Sequence, residues 1–348
     1  MGALTPTILM DLESRMEVLT ENEYTRLTSN LWWQIITRTR TTTSRRDVLT
    51  WLLTTASIKS EGKGGNIAFD DLVAIYTELE VLAAGAGLRL RRFQLEDTDG
   101  NGIDLAAEWS AQIGAFMAYW PQQQVANFLM TAQNTGVFTG YDQLPFFANN
   151  HPVNPYDTGR GVFANLMTGA ANSAFAGYPG ALPIDDTVTA DVALSNLSRL
   201  YSYIASIKMP NGVTPRFLRP KAIICSPRVF PRVTQIMGAK FLAQAAGSSA
   251  ASADVEGFVK SMGYSMPVQA DELAGFENDT TYFVACETIG TSRLGAVLYT
   301  QREPFHINYY GPQQQADLDR RDELEWHCKG RNAVSPGHPY LLFKVKGS

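Results

Sequence analysis

Residues 88–108 read LRLRRFQLEDTDGNGIDLAAE, and the fold turns on where this stretch changes from one kind of backbone to another. Counting from Asp97, oxygen-bearing side chains fall at positions 1, 3, 5 and 12 (Asp97, Asp99, Asn101 and Glu108), with glycine at position 6, which is the spacing of an EF-hand calcium loop. An EF-hand needs a helix entering that loop. Here Leu88 and Leu90, then Phe93 and Leu95, alternate with polar residues as a strand does, with one slip at Arg91 and Arg92 that predicts a bulge. Loop position 8, normally a branched apolar residue, is Asp104, and no second loop of this kind occurs. The stretch therefore reads as a strand, a turn closed by Gly100 and Gly102, and acids in the first turn of a helix, where they favour the helix dipole. A calcium-binding module using Asp97 to Glu108 is the alternative.

Working downstream, Ile103, Ala106, Ala107, Ile113, Phe116, Met117, Trp120, Ala126, Phe128 and Leu129 predict a helix over about 103–133, the longest in the chain, kinked at Pro121. Residues 136–183 are rich in Gly, Asn, Pro and Ala and read as irregular. A second region follows, with a helix from Val188 to Ile207, a buried strand in RPKAIICSP, a helix in VFPRVTQIMGAKFLAQ, and a small-residue segment AAGSSAASAD at 245–254. TYFVACET, AVLYTQ, PFHINYY, DELEWHCKG and YLLFKVKG read as separate strands, with a turn in RNAVSPGHP.

Upstream, TENE after Thr20 is a capping box, and Tyr24, Leu27, Leu31, Ile35 and Ile36 predict a helix from there to about Thr37. TRTRTTTSRRD at 37–47 carries four arginines before its first acid, Asp47, and predicts an extended basic arm, which is either a solvated linker or a segment that pairs with a neighbour or faces a polyanion. Residues 49–93 predict a long hairpin interrupted by SEGKGGN and GAG.

Composition excludes several classes. With 45% hydrophobic and 18% charged residues and no long apolar run, the chain reads as a globular protein without a membrane span. MGALTPTILMDLESRME lacks the basic and apolar regions of a secretory leader. Cys225, Cys286 and Cys328 are odd in number and widely spaced, which predicts reduced buried thiols. A net charge of −5 gives no global attraction to nucleic acid.

Chemistry is sparse. No phosphate loop, nucleophile elbow, zincin or dinucleotide motif occurs. His151, with Asp142 and Asp157 nearby, is the best catalytic candidate, although a structural role for it is favoured; Cys225 lacks a histidine motif. His306, His327 and His338 have no ligand-spaced companion, and Asp185/Asp186 and Asp271/Glu272 look like helix-start acids. No catalytic residue, cofactor or metal is expected, and the chain is not expected to be an enzyme.

In order, ALTPTILMDLESRMEVL, LRLRRFQLEDTDGNG, FFANNHPVNP, RPKAIICSPRVF and DELEWHCKGRNAVSPGHPYLLF resemble the major head subunit (T protein) family of Mu-like tailed phages. The chain departs from that family in DTDGNG, where a plainer pair of acids is usual, and around Arg38 to Arg46.

The resemblance implies an α+β, Hong Kong 97-type capsid fold. Residues 1–55 would form an N-terminal arm, 56–96 an extended loop hairpin, 97–179 and 305–348 a peripheral domain with a spine helix, and 180–304 an axial domain. It implies a self-assembling icosahedral shell of hexamers and pentamers around double-stranded DNA. The shell would be assembled in the host bacterial cytoplasm, with separate scaffolding, portal and decoration proteins, no membrane, and weak non-specific DNA contact. Arg38, Arg40, Arg45 and Arg46 would face DNA or an acidic neighbour. Some relatives of the fold crosslink a lysine of the extended loop to an asparagine of the peripheral domain, which here points to Lys59, Lys63 and Asn332. An arm and a hairpin that bury little in their own chain need another copy to cover them.

Overall fold

The first element of the computed structural model is a helix over Pro6–Thr28, α1, longer at its start than the capping box predicts. Thr20 is not a cap but a mid-helix residue, its hydroxyl 2.8 Å from the Met16 carbonyl and 3.0 Å from the carbonyl of Ser110. The structure describes residues 6–28, 31–52, 74–91, 94, 101–169, 177–238, 255–288, 295–310 and 323–347. After α1 a single 3-10 turn, Trp32–Ile35, replaces the predicted helix end.

Two short strands follow, β1 (Thr37–Thr41) and β2 (Arg46–Leu52), separated by a bend at residues 43–45; the basic stretch is partly extended, but β1 pairs parallel with Val297–Gln301 of its own chain rather than with a neighbour. β3 (Ala74–Glu80) pairs antiparallel with β2, Leu49 opposite Thr77, and β4 (Leu82–Arg91) continues directly from it. The predicted slip falls where β4 ends, and Arg92 and Phe93 lie outside the described residues.

α2 runs Asn101–Thr131 as one helix with Pro121 inside it, within two residues of its predicted bounds. Gly114 marks where α1 crosses it. A Cβ there would lie 2.5 Å from the Thr20 carbonyl, closer than atoms tolerate. Gly114→Val is therefore expected to push α1 off α2 and cost about 1–3 kcal/mol, the usual penalty of overpacking. Urea denaturation of the unassembled subunit measures it.

Past α2 come the two-residue strands β5 (His151–Pro152), β6 (Val162–Phe163) and β7 (Leu166–Met167). α3 (Ala190–Ser206) starts at Thr189, whose hydroxyl accepts from the Val192 N–H. β8 (Leu218–Cys225), α4 (Phe230–Gly238), α5 (Val255–Ser261), β9 (Met266–Gln269) and β10 (Tyr282–Thr288) follow. The segment at 245–254 lies outside the described residues.

The last strands correct the sequence reading. AVLYTQ and PFHINYY are one strand, β11 (Val297–Tyr310), whose register shifts between Gln301 and His306 absorb Pro304, which has no N–H to pair. The expected turn in RNAVSPGHP does not form at its start: β12 spans Glu323–Pro336, Gly337 and His338 continue its bonding to Ala296 and Gly295, and a 3-10 turn follows only at Pro339–Leu341. β13 (Leu342–Val345) closes the described chain.

Four strands form one sheet in the order β1-β11-β12-β4, and five form another in the order β7-β13-β10-β8-β9. This membership cuts across the expected domain bounds. β7 and β13, from segments assigned to the peripheral domain, pair in the five-stranded sheet, whereas Val297–Gln301 from the axial segment belongs to the four-stranded one.

Alternation in β12 sends Leu324, Trp326 and Cys328 inward against Leu9, Leu12 and Met16 of α1 and Ala106, Ile113 and Met117 of α2. Leu31, Trp32, Trp33 and Ile36 enter the larger core around the five-stranded sheet. Leu9, Leu12, Met16, Leu31, Trp32, Trp33 and Ile36 are thus buried in their own chain, whereas Met10, Val18, Leu19 and Tyr24 of α1 stay exposed. The expectation that the whole arm lies uncovered is incorrect for this part, because α1 has two apolar surfaces of its own subunit within reach.

Candidate assembly surface

His151 is completely buried and satisfied on both ring nitrogens. Nδ1 lies 2.5 Å from Oδ2 of Asp142, also fully buried, and Nε2 lies 3.0 Å from the Phe146 carbonyl and 3.2 Å from Oδ1 of Asn165. The ring stacks on Phe163 at 5.2 Å. Asn165 donates to the carbonyls of Phe146 and Pro339 and accepts from the Ala148 N–H, knitting this loop region to the end of the chain. No route leads from solvent to the imidazole. Asp157, the other acid near it in sequence, instead caps the turn at Gly159 and pairs with Arg160 at 2.7 Å.

The other flagged residues also serve structure. Burial pushes the Cys225 thiol up to about 12, so the nucleophilic thiolate is suppressed. Burial, then the Arg216 charge, holds His338 down at about 3. Asp185 bonds the N–H and hydroxyl of Thr187, and Glu272 accepts from the Trp32 indole at 3.1 Å and Gln122 at 2.6 Å, tying three segments together. Asn332 accepts from the Trp120 indole at 2.9 Å, so its side chain is committed within the subunit; Lys59 and Lys63 lie outside the described residues.

The calcium reading gains nothing from the backbone. Asp97 and Asp99 lie outside the described residues, but α2 already begins at Asn101, so loop positions 5 to 12 are helical. The carbonyl at position 7 is then spent on the helix rather than on an ion, and Glu108 sits two turns along. Among the described residues no group of three or more His, Cys, Asp or Glu side chains is arranged to hold a metal ion.

What the fold leaves uncovered is apolar and extended. One face of the β2–β3 ribbon packs Leu49, Ile75 and Leu79 on Tyr141 and Leu298; the other exposes Val48 at 47% and Tyr76 at 66%. Among the described residues β4 is a sheet edge, ten residues long, and the groove between it and α2 has a volume of about 850 Å³. Leu82 and Phe116 stand on that groove 64% and 60% exposed, above Met117, Trp120 and Phe305. A long edge strand beside exposed apolar side chains is a surface that monomeric proteins avoid.

The opposite face of the four-stranded sheet is charged. Arg89 reaches Glu325 at 2.7 Å, His327 reaches the same carboxylate at 3.2 Å, and Glu303 pairs with Arg331 at 3.3 Å. Of the basic stretch, Arg40 pairs with Asp47 at 3.3 Å and Arg45 with Glu80 at 2.7 Å. These two guanidiniums balance acids of their own subunit, which leaves less free charge for DNA than the sequence suggests.

One buried cluster escaped the sequence reading. Lys344, with a fully buried side chain, meets Glu277 at 2.6 Å and Gln133 at 2.9 Å. Its only signal was a lysine in the otherwise apolar run LLFKV.

No protein-family model matches the sequence, and neither does any curated protein. Solved structures do match. The virus-like particle from Pyrococcus furiosus is 8% identical with a TM-score of 0.50, over 96% of this chain and 98% of that one. The capsid of cyanophage P-SCSP1u is 13% identical with a TM-score of 0.51, over 92% and 88%. The mature capsid of bacteriophage PhiM1 is 14% identical with a TM-score of 0.50, over 92% and 87%. The chain has the α+β architecture of these shell subunits, the Hong Kong 97-type capsid fold.

Proposed function

We propose that this protein is the major capsid subunit of a tailed bacteriophage, assembling with itself into hexamers and pentamers of an icosahedral shell around double-stranded DNA. The observation that carries the reading is the pairing of a shell-subunit fold over nearly the full chain with an uncovered ribbon, sheet edge and groove on the same molecule. Such surfaces are stabilised when copies tile against one another. The work of the molecule is contact rather than catalysis, and its place is the virion shell, built in the host bacterial cytoplasm.

In this reading the four-stranded sheet with α1 and α2 is the peripheral domain and the five-stranded sheet with α3 to α5 the axial domain. β7 and β13 belong to the latter. Membership of the Mu-like head-subunit family rests on the sequence resemblance. Separate scaffolding, portal and decoration proteins and a weak non-specific DNA contact complete the set of partners. Among the described residues no helix is long and apolar enough to cross a membrane.

Negative-stain microscopy of the purified protein tests the proposal, with closed shells, tubes or capsomers expected. A monomer at high concentration, with or without scaffolding protein, would end it. The double substitution Leu82→Glu and Phe116→Glu is expected to leave circular dichroism unchanged, because both side chains already face solvent, while reducing assembled particles at least about tenfold; burying a charge on association costs more than the ~1.4 kcal/mol this represents.

A further inference from the structure

Charge is unevenly spread along this chain. Between Asp191 and Asp254 there are eight lysines and arginines and no acid, although the whole chain carries −5. Such an asymmetry becomes an electrostatic surface where the fold gathers the cations on one side.

It does so where α3 ends and β8 begins. Lys208 stands exposed two residues past α3, and its carbonyl accepts from Nε of Arg216 at 2.8 Å. Arg219 and Lys221 are the two exposed residues of β8, on one face of the strand and ~6.6 Å apart along it. Nη1 of Arg219 donates to the Tyr201 hydroxyl of α3 at 2.6 Å, which brings the β8 cations to the end of that helix. The Arg216 guanidinium lies 3.8 Å over the Tyr340 ring. Among the described residues only one carboxylate reaches these four cations at ion-pair distance, that of Glu287 on β10, 3.2 Å from Lys221. The far end of β8 differs, because Arg228 and Arg232 there share a cavity wall with Asp185, Asp186 and Asp279 and their charge is matched locally.

We propose that the patch of Lys208, Arg216, Arg219 and Lys221, and not the basic stretch at 37–47, is where packaged double-stranded DNA meets the subunit, through its phosphates. The inference rests on the capsid reading, which supplies the DNA. A duplex offers one negative charge per ~1.7 Å of its axis, so exposed cations on long side chains find a phosphate in any register and no base is read. In the 37–47 stretch, by contrast, Arg40 and Arg45 already face Asp47 and Glu80.

Fluorescence anisotropy of labelled mixed-sequence duplexes with the full-length unassembled subunit, across a salt series, tests this. Lys208→Ala, Arg219→Ala and Lys221→Ala together are expected to weaken binding at low salt at least about tenfold, equally for unrelated sequences, and to flatten the dependence of log affinity on log salt by about 0.9 for each phosphate contact removed. Arg38→Ala combined with Arg46→Ala is expected to leave affinity and slope nearly as they are. A loss in the second variant as large as in the first would overturn the proposal, as would an unchanged triple variant or a wild-type subunit that binds no duplex at low salt. Both variants are expected to form shells without DNA; a folded triple variant that no longer assembles would also overturn it, assigning the patch to an acidic face of another copy. The assembly reading falls only if the wild-type protein stays monomeric, which is a separate result.

Discussion

Alanine in place of Trp326 is expected to destabilise the subunit by about 3–5 kcal/mol, a large part of what a domain has to lose. The side chain is fully buried on the inner face of β12, among Leu12, Met16 and Ile113, with the Tyr309 ring at 5.3 Å. Its indole nitrogen has no hydrogen-bond partner, so the loss is one of packing. Trp326→Phe is accordingly expected to cost less than half as much, since most of the buried apolar area survives. Urea unfolding of the subunit at concentrations below assembly measures both, because association would otherwise add its own stabilisation. Equal effects of the two substitutions would refute the packing account.

Asp142→Ala is expected to cost about 3 kcal/mol, the scale of leaving one member of a buried pair behind. His151 cannot turn to water, and the 0% exposure of both side chains leaves no compensating solvent. Asp142 also accepts from the Leu144 N–H at 3.3 Å, so the loop from Thr139 to Pro145 loses an anchor at the same time. Asp142→Asn keeps the volume and one acceptor oxygen but turns an NH2 towards the other partner, and is expected to recover only part of the loss. Thermal unfolding separates the three proteins, and a carboxamide as stable as the native acid would show that Asp142 contributes only volume.

Local periodicity made much of this architecture legible. Leu324, Trp326 and Cys328 alternate because one sheet face is wet, and Ala106 to Leu129 repeat as a helix because one stripe is covered; both patterns were readable without knowing what covers them. Two features misled. TENE looks like a helix start, but Thr20 fits mid-helix because its hydroxyl bonds the preceding turn and α2. Pro304 looks like a strand terminator, but the register shifts of β11 carry the ladder past it. Asp142 and Asp157 are both close to His151 in sequence, and only the folded chain chooses between them. The Lys344 cluster was out of reach, since its partners lie 67 and 211 positions away and nothing periodic links them.

The packing of α1 against β12 also constrains synthesis. Glu13 accepts from the Tyr309 N–H at 3.2 Å across a separation of 296 positions, and Leu9, Leu12 and Met16 share a core with Leu324 and Trp326. A nascent chain emerging from the ribosome holds the first half of that core long before the second half exists. Its leading helix can meet α2 early, but the side that faces Leu324 and Trp326 waits until translation of β12 is finished, which makes this the stretch a chaperone would grip.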